Sequence, residues 1–282
     1  MDINIIKYIL KKYIETYGDD LLKKSLKEIK EKQEKEKNEI NQGSQNEEQM
    51  NAIVKNNNIK IDSLNWGPKE IKLFLKLFFC IYDVFAKYWK NDKKSGYSFS
   101  CKNEWVKNLC EKLILNSKGC KNCKFKDYLE ISETNIINHL CKNQIYGTYV
   151  SNKESQTKFL VFDFDDVTDL NFIKNLYKIC KINNIYAYLE LSSSKTGYHL
   201  WIFFNDFIAN NIVRKFAILL LSLTLNISKN INFKYFDRIF PTQDFLSKQE
   251  LGNLIRLPLS YSDVSRNACV FLNENFEIEK TK

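Results

Sequence analysis

The run FLVFDFDD, residues 159–166, places Asp163 and Asp165 two positions apart at the end of an unbroken apolar stretch. A strand sends successive side chains to opposite faces, so these two carboxylates leave the same face. Side by side they repel, and a cation offsets that cost. Oxygen donors of this kind suit hard divalent ions, Mg2+ or Mn2+. Asp166 points the other way and reads as a turn residue or the start of a helix cap. A D-x-D pair alone is a weak signal, because strand ends at a surface often carry acids. Behind an apolar strand it gains weight, since burying two unpaired acids there is expensive.

A second group lies in ELSSSKTGYHLWIFF, residues 190–204. A strand ends in Ser192, Ser193 and Ser194, turns through Lys195-Thr196-Gly197 and re-enters a strand at His199. Backbone amides in such a turn can form an anion nest, and Lys195 adds charge. His199 is one of two histidines in the chain. A lone strand histidine is more often structural, but the phosphate-cradle turn beside it shifts the balance toward function. FKYFDRIFPTQD followed by GNLIRLPLS supplies a third strand-end carboxylate, Asp237, and two basic groups, Arg238 and Arg256. Such a set suits nucleotidyl transfer: two divalent ions about 3.5–4 Å apart activate the attacking hydroxyl and neutralise the leaving pyrophosphate.

Eight cysteines in a chain with no export signal point to a reducing, cytoplasmic setting. Cys101, Cys110, Cys120 and Cys123 are spaced C-x8-C-x9-C-x2-C, and the final CKNC lets two thiolates reach one Zn2+ from a tight turn. Four thiolates complete a closed structural site. Four unrelated buried cysteines are the competing explanation, weakened because this segment is too polar to be held together by a core. Trp105, between two of these cysteines, reads as part of the module's small core. Cys80, Cys141, Cys180 and Cys269 sit in apolar patterns and read as core.

The elements that must position these groups follow from periodicity. Residues 3–30 have helical spacing, and about 31–58 read as a solvated helix tail fraying into a linker. A helix is predicted from Gly67-Pro68 to about Trp89, with Ile71, Phe74, Leu75, Phe78, Val84 and Phe85 as its buried stripe. From Phe159 the order is β-α-β-β-α-β, predicting an α+β fold with an RRM-like or ferredoxin-like mixed sheet and flanking helices. Three units are expected: a helical arm and linker over 1–60, a helical and zinc-binding module over 61–158, and a catalytic core over 159–282.

Composition excludes several classes. With 44% hydrophobic and 27% charged residues the chain is globular, and no apolar run is long enough for a membrane span. The net charge of +9 is concentrated: residues 84–126 carry 11 lysines against three acids. That block can attract a polyanion, although a Lys-rich solvated surface has the same composition.

Taken in order, KSGYSFSCKNEWVKNLCEK ahead of CKNC, then FLVFDFDD, ELSSSKTGYHLWIFF, FDRIFPTQD and GNLIRLPLS resemble the archaeo-eukaryotic primase superfamily. The resemblance is narrower to the primase-polymerases of TOTE conflict systems and CRISPR-associated primase-polymerases, and it spans about Ile71 to Leu259. It implies a nucleotidyltransferase making and extending primers on single-stranded DNA from dNTPs or NTPs, with Mg2+ or Mn2+ at the catalytic acids. It also implies contact with CRISPR adaptation or other mobile-element and defence proteins. Asp163 and Asp165 match the first motif, Ser194 and His199 the middle one, and Asp237 the third, with Asp244 as fallback. Ser192, Ser193, Lys195, Arg238 and Arg256 complete the implied nucleotide contacts. The middle motif is S-x-x-x-x-H rather than S-x-H, Cys80-Ile81 replaces a usual Gly-Arg pair, and Lys234 stands where relatives often have an acid. No helicase motif follows, so the chain reads as a stand-alone enzyme or a catalytic fragment. A non-catalytic zinc-containing single-strand-binding protein and a metal-dependent nuclease are the competing functions. The three acids speak against the first, and the Ser-Lys-Thr-Gly turn and arginines against the second.

Overall fold

Pro68 opens the first helix, as its fixed φ favours. In the computed structural model α1 spans Pro68–Phe78 and buries Ile71, Phe74 and Phe78. The structure describes residues 66–113, 120, 123–227, 233–247 and 250–278, so the arm expected over 1–60 lies outside the described residues. The helix does not continue to Trp89. It stops at Phe78, and Phe79 is extended with its amide bonded to the Leu75 carbonyl. Beyond it, β1 (Ala86–Lys90) and β2 (Ser95–Phe99) pair as an antiparallel hairpin. Its turn is held by the Asn91 side chain, which accepts from the amides of Lys93 and Lys94 at 3.1 and 2.9 Å. Asn-containing turn chemistry outweighed an apolar spacing that imitated a helix. Val84 and Phe85 are buried as expected, but from the connector.

Helix α2 (Glu133–Cys141) starts at a capping box formed by Ser132 and Asn135, and leads to β3 (Tyr146–Tyr149). Then come β4 (Gln156–Phe164), α3 (Asn171–Ile182), β5 (Tyr188–Leu191), β6 (Tyr198–Ala209), α4 (Asn210–Ile227) and β7 (Phe236–Phe240). This is the predicted β-α-β-β-α-β order. Strand β8 (Leu254–Arg256), helix α5 (Tyr261–Val264) and β9 (Val270–Phe271) follow. One sheet has the order β2-β1-β3-β8 and the other β7-β4-β6-β5-β9. All the paired neighbours are antiparallel. The fold is therefore α+β, with antiparallel sheets and flanking helices.

Strand β4 is buried on both faces, which is why its sequence shows an apolar run rather than alternation. Leu160, Phe162 and Phe164 pack with Phe172, Leu176 and Phe216 of the two long helices. Phe159 and Val161 pack on the opposite side with Phe74, Phe78, Trp201 and Ile255. That second core joins α1 to β4 and β8, and β8 pairs with β3, so packing crosses the boundary drawn at 158/159.

The described residues of the segment 101–127 carry little regular structure. The segment is closed at its base where Cys101 bridges Tyr128 and the Ser100 hydroxyl donates to the Leu129 carbonyl at 2.9 Å. Among its described residues only Cys110 is a buried hydrophobic. Trp105, expected in a core, is 62% exposed at a positive φ of 64°. The described residues of this polar stretch offer no interior in which to bury an indole. Among the described residues no helix is long and apolar enough to cross a membrane.

Candidate active site

Cross-strand register builds the site as one row. On β4, Asp163 lies opposite His199 of β6 on one side and Arg238 of β7 on the other, and His199 lies opposite Glu190 of β5. Directly paired residues share a face, so Arg238, Asp163, His199 and Glu190 form a strip of alternating charge across four strands. Asp165 follows at the end of β4, its amide bonded to the Tyr235 carbonyl at 2.9 Å.

Asp237 reaches the same place through an irregularity. Arg238 pairs with Asp163 and Phe236 with Phe164, leaving a register shift between them. Strict alternation would send Asp237 and Arg238 to opposite faces; a bulge re-aims the extra residue. Asp237 and Arg238 form an ion pair. Oxygens of Asp163, Asp165 and Asp237 all lie within 4.8 Å of one another. Desolvation first, then the charges of Asp163 and Asp237, push the Asp165 carboxyl up to about 6. A concentration of oxygen donors and like charge suits a hard divalent cation, so these residues fit Mg2+ or Mn2+. Asp244 is elsewhere, paired with Arg214 at 2.7 Å.

His199 stands between two carboxylates, with Nε2 3.3 Å from Asp163 Oδ1 and Nδ1 3.0 Å from Glu190 Oε2. Burial alone would lower its pKa. The Glu190 charge, followed by hydrogen bonds to Asp163 and Glu190, overcomes this and raises it to about 10. Glu190 is 1% exposed and also accepts from Trp201 Nε1 at 2.6 Å. Sequence reasoning missed Glu190. The available signal was an acid between two leucines in a buried strand, which must have a partner to be tolerated.

The turn carrying Ser192, Ser193, Ser194 and Lys195 is closed by the Ser192 amide donating to the Gly197 carbonyl at 2.9 Å. Lys195 takes a left-handed φ of 66°. Hydroxyls of Ser192 and Ser194 are 2.9 Å apart, and those of Ser194 and Thr196 3.0 Å. Gly197 fastens this turn to the triad: a Cβ there would sit 2.6 Å from the Phe164 carbonyl oxygen and 3.3 Å from Asp165 Oδ1. Asp166 is a turn residue, with φ at 48°. Arg256 belongs to the other sheet, where Asp263 binds it at 2.7 Å, the Tyr97 hydroxyl accepts from it at 3.1 Å, and Tyr88 lies beneath it.

Cys101, Cys110, Cys120 and Cys123 line one pocket together with Lys112. The closed four-thiolate site expected from their spacing is not formed. A Zn–S length of about 2.3 Å puts tetrahedral sulfurs roughly 3.8 Å apart. Among the described residues, only the Asp163, Asp165 and Asp237 group brings three or more such ligand atoms within 4.8 Å. Spacing alone does not draw four sulfurs together where the described residues supply little core, and a bound ion would have to do so.

The family model described as "TOTE conflict system, Archaeo-Eukaryotic Primase domain" matches residues 69–282. No curated protein matches the chain.

Proposed function

Because the chain belongs to the archaeo-eukaryotic primase family of TOTE conflict systems, we propose that it is a template-dependent primase-polymerase, making and extending primers on single-stranded DNA from dNTPs or NTPs. Family membership and the acidic triad support nucleotidyltransferase-type activity in general. The observation that carries the finer proposal is the meeting of Asp163, Asp165 and Asp237 beside His199 and the 192–197 turn.

Asp163, Asp165 and Asp237 would hold Mg2+ or Mn2+, which when bound supplies charge neutralisation at the attacking and leaving oxygens. The residues themselves do the positioning. Hydroxyls of Ser192 and Ser194 and the Lys195 ammonium face the incoming triphosphate, and His199 and Arg238 grip it from the sheet. We leave Arg256 out of that grip, because Asp263 and Tyr97 already bind its guanidinium.

The basic segment serves the template. Trp105, Phe125 and Trp89 are exposed, and Lys112 and Lys94 lie over the Trp105 and Trp89 rings at 5.3 and 5.9 Å. Exposed rings offer stacking faces and lysines track phosphates, the two components of single-strand binding. We further propose that its four cysteines close on one structural Zn2+, their shared pocket being the support for it.

The test is incubation of the chain with a single-stranded template, labelled nucleotides and Mn2+ or Mg2+, without primer. Template-dependent products that vanish on Asp163→Ala with Asp165→Ala are expected. Degraded template with no products would favour a nuclease, and binding without either would favour a passive single-strand-binding protein.

A further inference from the structure

Glu190 is a charged side chain with almost no access to solvent, placed at the end of the short strand β5. One of its oxygens, Oε2, receives both Trp201 Nε1 at 2.6 Å and His199 Nδ1 at 3.0 Å. Nothing in nucleotidyl transfer itself requires a carboxylate at this depth, and an acid buried here without function invites replacement by a leucine.

We propose that Glu190 is the positioning residue that fixes the His199 ring, turning its Nε2 toward Asp163 and the incoming triphosphate. The proposal rests on His199 being a nucleotide-gripping group. Glu190 does not touch the reacting atoms and acts through the imidazole.

A carboxylate oxygen here only accepts, so the hydrogen of the Nδ1–Glu190 contact belongs to the imidazole. With Nδ1 occupied, the ring cannot flip, and Nε2 is left on the side of the triad, 3.3 Å from Asp163 Oδ1. Glu190 is itself held. Trp201 lies two residues beyond His199 on β6, fully buried, with Phe78 edge-on at 5.3 Å and Phe203 stacked at 5.8 Å. The indole is locked by the core, and its N–H pins the carboxylate. Orientation thus passes from packed aromatics to Glu190, to His199, to the triad. For metal-bound histidines, losing such an orienting partner costs roughly ten- to a hundredfold in affinity or activity, and an effect at the lower end of that range is expected here.

The chain has only two histidines, which makes the test readable. With 15N-labelled histidine in the full chain, the signal absent from His199→Ala is that of His199. In the folded wild type a slowly exchanging, hydrogen-bonded Nδ1 proton is expected; a bare or freely exchanging Nδ1 overturns the proposal without any Glu190 variant. Glu190→Gln can present an amide oxygen in the same place, so it should keep the signal and hold nucleotide affinity within a few-fold. Glu190→Ala should lose the signal and weaken nucleotide binding roughly tenfold. Combined with His199→Ala it should add nothing further, since the two residues act in series. Persistence of the Nδ1 signal in Glu190→Ala, or additive losses in the double variant, overturns the inference. If His199→Ala binds nucleotide as the wild type does, the gripping role fails instead, and the Nδ1 signal still decides whether Glu190 orients the ring.

Discussion

Replacing Gly197 by alanine tests whether the Ser-Lys-Thr-Gly turn is fastened to the acidic triad. The added Cβ would lie 2.6 Å from the Phe164 carbonyl oxygen, 2.9 Å from Ser192 Oγ and 3.3 Å from Asp165 Oδ1. Ordinary contact begins near 3.4 Å, so relief requires a movement of roughly 0.8 Å. The nearest atom is backbone, at the last residue of β4, and Phe164 is paired with Tyr198 next to the glycine. Relief must therefore part the ends of β4 and β6, where Asp163 faces His199. Overpacking of this kind costs about 1–3 kcal/mol of stability. A displacement approaching 1 Å at a reacting centre costs on the order of 100-fold in rate. Expected outcomes are a lowered melting temperature, weakened Mn2+ binding followed by electron paramagnetic resonance, and primer-free incorporation reduced by about two orders of magnitude. Gly96→Ala is the control. Its Cβ would first meet the Trp89 ring at 3.2 Å, and that ring is 37% exposed and can move aside. If Gly197→Ala melts, binds Mn2+ and incorporates nucleotide like the wild type, the turn is not fixed against the triad.

Asp165→Asn should abolish incorporation while leaving the metal-free melting temperature unchanged or higher, because it removes the carboxylate that Asp163 and Asp237 repel; a lower value argues against repulsion within the triad. His139 donates from Nε2 to the Pro258 carbonyl at 3.0 Å and accepts the Tyr146 amide at Nδ1. Burial first holds its pKa down to about 4. Below about 6.5 the unfolded chain takes up a proton that the folded one refuses, so stability falls as pH drops from there toward 4. The total loss is about 3 kcal/mol, and His139→Gln should remove that part of the slope in denaturant titrations. Neutralising Lys94, Lys102, Lys107 and Lys124 together should flatten log affinity for single strands against log salt, by roughly 0.7 for each phosphate left without its lysine. Primer initiation should fall more than extension of a preformed primer, and an equal fall would reduce the segment to an appendage. Protein purified without chelator should contain one zinc per chain by elemental analysis, absent from Cys120→Ala with Cys123→Ala; zinc-free wild-type protein rules the site out.

The strands of the catalytic sheet were legible because burial on both faces leaves an apolar run that little else produces, as in FLVF. Asp163 and Asp165 could be placed on one face by alternation. Asp237 could be named but not placed, since the register shift on β7 defeats the alternation from which a face is read. Glu190 was missed for a related reason: its partners, His199 and Trp201, come from another strand, and pairing across strands is invisible to a local pattern. Local spacing also misjudged residues 79–89, where a hairpin imitates helical periodicity, and Trp105, where an apolar side chain does not guarantee an interior to enter. The cysteine spacing constrained which sulfurs lie near one pocket without bringing them together.

The charges of the site explain why its groups come as a set. Four carboxylates, Asp163, Asp165, Asp237 and Glu190, stand against two cations, His199 and Arg238, leaving a deficit of two charges. Each internal cation is adjacent to the carboxylates it neutralises: Arg238 is paired with Asp237, and His199 lies between Asp163 and Glu190. The remaining deficit falls where desolvation and the neighbouring charges raise the Asp165 pKa, and divalent cations would offset it there. On the proposed function, a nucleoside triphosphate would bring its own negative charge and need further cations. Arg238, paired with Asp237 but partly exposed, and Lys195, on the turn, are the groups proposed to meet it. Packing on β4 and β6 sets where these charges stand. The alternation of sign along the row then lets so many ionised groups share one small area of sheet without unfolding its edge.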